Sequence, residues 1–304
     1  MKRMTLAALA GAAMLFAGTA IAQQNVDFSK VEIKTTDLGN KTYMLQGQGG
    51  NITVAVGTDG IVMVDSEFAP LHDKIKAAIE KISPLPIKYL INTHYHGDHT
   101  GGNAPFHKDG AIVVAQDNIR TRLAAGTMNG LTGNKTAPVA ADALPTETYI
   151  GGSKTVEVGG RKALLTHVNN AHTDGDTWVF IPDANVLATG DTFTNTGRYN
   201  TIDFANGGDI RGLIRAVDSY IKVSNDDTKI VPGHGGLAKK ADLIAWREML
   251  VTSRDRVQKL LDEGQSEQQV LAERPLADLD KKWAANDQQA QNWLRMVYNS
   301  FKRS

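Results

Sequence analysis

Three histidines and an aspartate fall within six positions of this 304-residue chain, in the run Thr93-His94-Tyr95-His96-Gly97-Asp98-His99-Thr100-Gly101-Gly102-Asn103. A largely apolar stretch, Ile87 to Ile91, precedes the run and reads as a buried strand. Side chains two apart on an extended chain point the same way, so His94 and His96 can reach one metal ion while Tyr95 turns into the fold. Asp98 and His99 follow where the chain has begun to bend, and aim at a second point a few Å away. Two donor clusters so close together suggest two metal ions. Imidazole and carboxylate donors without sulfur suit zinc best, and iron or manganese less well.

The pattern H-x-H-x-D-H after a strand resembles the signature of the metallo-β-lactamase superfamily. Further motifs of that family follow in its order. Ala171-His172-Thr173-Asp174-Gly175-Asp176-Thr177 precedes the apolar segment Trp178 to Ile181. Val186 to Thr189 runs into Gly190-Asp191-Thr192-Phe193. Ile230-Val231-Pro232-Gly233-His234-Gly235-Gly236 closes the series. The resemblance spans about Val31 to His234. It implies one zinc on His94, His96 and His172, and a second on Asp98, His99 and His234. Asp191 would bind the second ion or bridge the two. It also implies an α/β fold, the αβ/βα four-layer sandwich, with the metals at the sheet edge.

By the same resemblance, Asp65, at the end of Val62-Met63-Val64, would orient a metal-bound imidazole through its other nitrogen. His72, His107 and His167 match no ligand position and read as surface or structural residues. The implied reaction is hydrolysis by a hydroxide held between the ions, with Asp98 aligning it and passing a proton to the leaving group. The expected substrate is a small molecule carrying a cyclic amide or ester, β-lactams included.

The motif context resembles most closely the exported lactamases that use a Cys ligand, with Asp191 where the Cys would stand. Their substrate-gripping Lys, three positions on, is here Thr194. The nearest cation is Arg198, the candidate carboxylate anchor. An Asp ligand is instead the pattern of thioesterases and phosphodiesterases of the superfamily. A periplasmic esterase, lactonase, thioesterase or phosphodiesterase-like hydrolase is therefore the alternative, and a non-catalytic metal-binding accessory protein a third.

Lys2 and Arg3, the apolar run Leu6 to Ala20 and Ala20-Ile21-Ala22 read as a secretory signal peptide cleaved after Ala22. Residues 1–22 are thus expected to be removed and 23–304 to form the hydrolase domain, periplasmic or secreted, with no membrane attachment after cleavage. The basic and acidic residues number 33 each, and loss of Lys2 and Arg3 leaves 31 against 33, a charge of −2. So neutral a chain has no bulk affinity for nucleic acid. With no cysteine, neither a disulfide nor a thiolate nucleophile is available, and an apolar core must hold the fold.

Val31 to Thr36, Thr42 to Leu45, Ile52 to Val56 and Ile61 to Val64 read as antiparallel strands joined by Gly and Asp-Gly turns. His72 to Ile82 and Asp117 to Ala124 have helical spacing, and Lys88 to Asn92 and Ile112 to Ala115 read as strands. Further strands are expected at Lys162 to Val168, Thr177 to Ile181, Val186 to Thr189 and Lys229 to Val231. Ile210 to Ser224 and Lys239 to Glu263 read as helices, with two more between Glu267 and Phe301. Gly126 to Thr148 is a polar connector expected near the mouth of the site. Gln46-Gly47-Gln48-Gly49-Gly50 occupies the place of a flexible hairpin that covers substrate in related enzymes.

Overall fold

The computed structural model describes residues 26–302; the expected signal peptide lies outside them. The chain opens with β1 (Lys34–Gly39), β2 (Thr42–Gln46), β3 (Ile52–Val56) and β4 (Ile61–Val64), an antiparallel series as expected. Helix α1 (His72–Glu80) leads to β5 (Ile87–Ile91), the short helices α2 (Gly97–Thr100) and α3 (Asn103–Lys108), then β6 (Ile112–Gln116) and α4 (Asp117–Ala125). A small hairpin, β7 (Thr127–Met128) and β8 (Lys135–Thr136), precedes β9 (Glu147–Tyr149), which closes a seven-stranded sheet beside β6. The second sheet holds β10 (Ser153–Val158), β11 (Arg161–His167), β12 (Thr177–Ile181), β13 (Val186–Ala188) and, after α5 (Ile210–Val223), β14 (Lys229–Val231). The chain ends with α6 (Lys240–Asp262), α7 (Glu267–Glu273), α8 (Ala277–Trp283) and α9 (Asp287–Phe301).

Period-two alternation builds the layers. Val62 and Val64 face the other sheet, where they meet Leu165, Val179, Ile181 and Val186. Ile61 and Met63, on the same strand, face outward into a cluster with Ile75 and Ile79 of α1 and Phe106 of α3. On the far side, Trp178, Leu187 and Ile230 pack outward against α5, α6 and α9. Helices therefore cover both outer faces, and the four-layer α/β sandwich stands. Helix α5 shows why its sequence is helical here. Asp209 caps its start by accepting from the Arg211 N–H, and Ile210, Leu213, Ile214, Val217 and Tyr220 form one buried stripe.

Four expectations need correcting. The first strand begins at Lys34, after the turn Phe28–Lys30 and with the Val31 carbonyl taken by Lys74 Nζ at 2.6 Å. The connector from Gly126 to Thr148 carries the β7–β8 hairpin and part of β9, strands too short to leave a periodic signal. Strand β10 had no counterpart in the sequence reading. The tail holds three helices rather than two. Arg274 ends α7 in a left-handed conformation just before Pro275, and Asn286 recaps the chain for α9 after α8. No helix of the described residues is long and apolar enough to cross a membrane.

Candidate metal centre

Among the described residues, those that could hold a metal lie beyond strand ends, in loops or, for Asp98 and His99, in the short helix α2. His94, His96, Asp98 and His99 follow β5, His172 follows β11, Asp191 follows β13 and His234 follows β14. They converge in two groups. His94, His96, His172 and Asp191 form one, and Asp98, His99 and His234 the other. The two triads are those expected from the sequence.

Within the first group, His96 Nδ1 lies 3.1 Å from His94 Nε2 and 3.0 Å from His172 Nε2. In the second, His99 Nε2 lies 3.3 Å from His234 Nε2, and Asp98 Oδ2 lies 3.2 Å from His234 Nε2. Asp191 stands between them. Its Oδ1 is 3.3 Å from His99 Nε2 and 3.4 Å from His234 Nε2, while its Oδ2 is 3.8 Å from His172 Nε2. Buried Asp191 Oδ1 nevertheless makes no hydrogen bond. Nitrogen lone pairs crowded around an oxygen without a hydrogen bond are what a cation would satisfy, and the donor set fits zinc.

The outward nitrogens are held as such a site requires. Asp65 Oδ2 pairs with His99 Nδ1 at 2.8 Å and also accepts from the Thr93 hydroxyl at 2.7 Å, while its Oδ1 accepts from Thr93 N–H at 2.8 Å. Asp65 thus occupies the position expected of it. His172 Nδ1 donates to the Thr201 carbonyl at 2.7 Å. His96 Nε2 meets Asp203 Oδ2 at 3.1 Å, and the Tyr95 hydroxyl donates to the same oxygen. Tyr95 is buried, as expected. His72, His107 and His167 lie outside both groups. They bond instead to Asp73 and Asp109, to the Ala111 carbonyl and to the Asp176 carbonyl.

Electrostatics divide the two groups. Burial and the neighbouring His99 and His96 rings push His94 well below the ordinary imidazole range, and burial with His96 takes His172 down to about 4. Burial alone would lower His99 as well, but Asp191, Asp65 and Asp98 drive it well above that range. Burial also opposes the charge on Asp98, yet His99 and His234 outweigh it and hold this carboxyl at about 2. Burial therefore favours the neutral form of His94 and His172, whereas the second group is a cluster of alternating charges.

Two residues escaped the sequence reading. Asp203, in the loop after β13, backs His96 from 107 positions away. Glu67 is buried with φ of +51°. Burial raises its pKa, and its Oε2 accepts from the Gln48 and Gly49 N–H groups at 2.9 Å. Neither lies in a periodic or motif context that would have flagged it. Glu67 also bears on the expected flap. The turn Gln46–Gly50 is stitched down by Glu67, by Gly50 N–H to the Asp98 carbonyl at 3.0 Å, and by Gln46 Nε2 to the Gly235 carbonyl at 2.9 Å. Arg198 is exposed and makes no ion pair among the described residues. It lines a cavity shared with Thr194, Asn200 and His234.

Residues 45–234 match the family described as the Metallo-beta-lactamase superfamily. A hydroxyacylglutathione hydrolase from Nitrosococcus oceani is 29% identical over 166 residues, 54% of this chain and 55% of that protein. The chain thus spans about half the length of the curated relatives it matches. Among solved structures, a metallo-beta-lactamase from Pontibacter korlensis superposes with a TM-score of 0.58 at 18% identity, over 72% of this chain and 99% of that one. A sec-alkylsulfatase from Pseudomonas sp. gives 0.65 at 15% identity, over 89% of this chain and 50% of that one. At such identities these structural likenesses speak for the fold alone.

Proposed function

The chain belongs to the metallo-β-lactamase superfamily, and we propose that it is an exported dinuclear zinc hydrolase that cleaves a small-molecule ester, lactone or thioester. The observation that carries this reading is the placement of Asp191 between two complete triads, one carboxylate oxygen toward each. His94, His96 and His172 would hold one ion, Asp98, His99 and His234 the other, with Asp191 shared. Bound zinc would supply Lewis acidity and bring a coordinated water's pKa toward neutrality.

The protein's own groups do the rest. Asp203 and Asp65 fix the tautomers of His96 and His99, so that Nδ1 of the first and Nε2 of the second face the centre. Asp98 is about one-third exposed, whereas Asp191 is nearly closed off. Asp98, which joins the second triad through Oδ2 and is partly exposed, is the carboxylate positioned to orient an attacking water.

The test is a hydrolysis screen of the mature, metal-analysed protein with esters, lactones, thioesters, phosphodiesters and β-lactams, with and without chelator. Chelator-sensitive ester or thioester turnover is expected. Stoichiometric zinc without turnover of any substrate would replace this reading by that of a metal-binding accessory protein.

β-Lactam hydrolysis is a second reading, and Arg198 favours it. Thr194 removes the usual Lys, but Arg198 reaches the same cavity as His234 and offers a free guanidinium for a substrate carboxylate. Arg198→Ala is expected to raise KM about tenfold for carboxylate-bearing substrates, roughly the loss of one charged hydrogen bond. An equal effect on neutral substrates would refute the anchoring role. Asp191→Cys is expected to retain metal and raise the lactam-to-ester rate ratio, because a softer thiolate would replace the shared carboxylate. An unchanged ratio would show that Asp191 does not select the substrate.

A further inference from the structure

A cavity of about 300 Å³ is bordered by His96 of the first triad. Tyr95, His96, Leu123, Met128, Val139 and Ala143 are among its walls, and the β7–β8 hairpin forms one side. Several of the polar groups around it are already engaged, while Thr127, Asn129 and Thr136 also line it. Arg122 is paired with Asp174 at 2.5 Å. The Tyr95 hydroxyl is given to Asp203, and Asn206 Nδ2 is divided between the Met128 carbonyl and Asp203 Oδ1, each at 2.8 Å. Thr100 Oγ1 donates to the His96 carbonyl at 3.0 Å. An occupant would therefore meet the apolar side chains of Leu123, Met128, Val139 and Ala143, with Thr127, Asn129 and Thr136 on the hairpin side.

The hairpin is braced as a wall. Asn206 holds its backbone, and the Phe204 ring fills the space where a side chain at Gly130 would stand. Met128 and Leu131 lie exposed on the same hairpin. The volume is that of a small ligand pocket, and His96 is both its wall and a member of the first triad.

We propose that this cavity is the subsite for an uncharged, apolar arm of the substrate, an aliphatic or aromatic group attached beside the scissile bond. The proposal rests on the hydrolase reading for the scissile bond, but the cavity's preference for apolar groups can be measured without turnover. Arg198, across the centre at His234, would then face the polar end of an amphiphilic substrate.

Two measurements on the zinc-loaded protein test it. The first is kcat/KM for 4-nitrophenyl esters from acetate to octanoate. Burial of each methylene is expected to raise it about fourfold until the cavity is full. Val139→Trp should fill the cavity and bring the octanoate-to-acetate ratio down to near one. Ala143→Leu, a smaller intrusion, should lower it partway and serves if the tryptophan variant does not fold.

The second is calorimetric titration with 1-octanol, which should bind the wild type and lose that binding in whichever of the two variants folds. Absence of 1-octanol binding to the wild type, or binding equal in wild type and variant, would overturn the subsite. If no ester is turned over while octanol binds and is lost in the variant, the cavity stands as an apolar binding site and the ester reading falls.

Discussion

Replacing His96 with alanine is expected to strip zinc from the first triad and to lower turnover about a thousandfold or more, a loss of about 4 kcal/mol of transition-state stabilisation. His96 is the hub of that triad. Its Nδ1 is within 3.1 Å of the facing nitrogens of both His94 and His172. Alanine leaves two buried imidazoles, and it leaves Asp203 with only the Tyr95 hydroxyl and Asn206. Asp203→Asn should be milder, about 10- to 100-fold in metal affinity, since it loosens a ligand without deleting it. Zinc content by mass spectrometry and turnover of an activated ester check both. His96→Ala activity within a few fold of wild type would sink the assignment of the centre.

Gly50→Ala is expected to empty the second triad while sparing the first, although residue 50 carries no donor. A Cβ at position 50 would stand within 2.5 Å of both ring nitrogens of His99. That ring cannot retreat, being wholly buried and held by Asp65 at 2.8 Å. The turn cannot lift away without breaking the Glu67 bonds to Gln48 and Gly49 and the bond from Gly50 N–H to Asp98. One methyl group must therefore displace a ligand or cost about 1–3 kcal/mol in overpacking. Zinc should fall from two ions per chain to one. Gly236→Ala is the control, since its Cβ would meet nothing within 4 Å, and its zinc content should match the wild type. Two tightly bound ions in Gly50→Ala would show that the turn yields more easily than its bonds imply.

These two positions divide what could be read from residue order alone. His94, His96, Asp98 and His99 declare themselves because a metal site built at the end of one strand needs its donors at short, regular spacing. His172, Asp191 and His234 were reached through the family resemblance, whose remaining motifs stand in order further along the chain. The α/β class was legible from strands in two groups with intervening helices, and the four-layer arrangement came from the resemblance. Runs such as Ile61 to Val64 are apolar on both faces, which only a strand covered on both sides tolerates. Donor identity in the first cluster is a local property, whereas the grouping of its members with the distant donors came from the resemblance.

Whatever depends on approach between distant segments was decided by tertiary structure alone. Asp203 backs His96, and Gly50 yields its space to His99, through contacts that carry no sequence periodicity. Glu67 became the anchor of a glycine turn that looked like a free flap, because burial leaves its carboxylate only backbone N–H groups to bind. The β7–β8 hairpin and the apolar cavity beneath it arise from two-residue strands, too short for a pattern, held by Asn206. Composition and spacing thus determine which atoms can hold metal. The shape of the space beside them, and therefore the substrate, emerges only when the loops of two sheets are packed against each other.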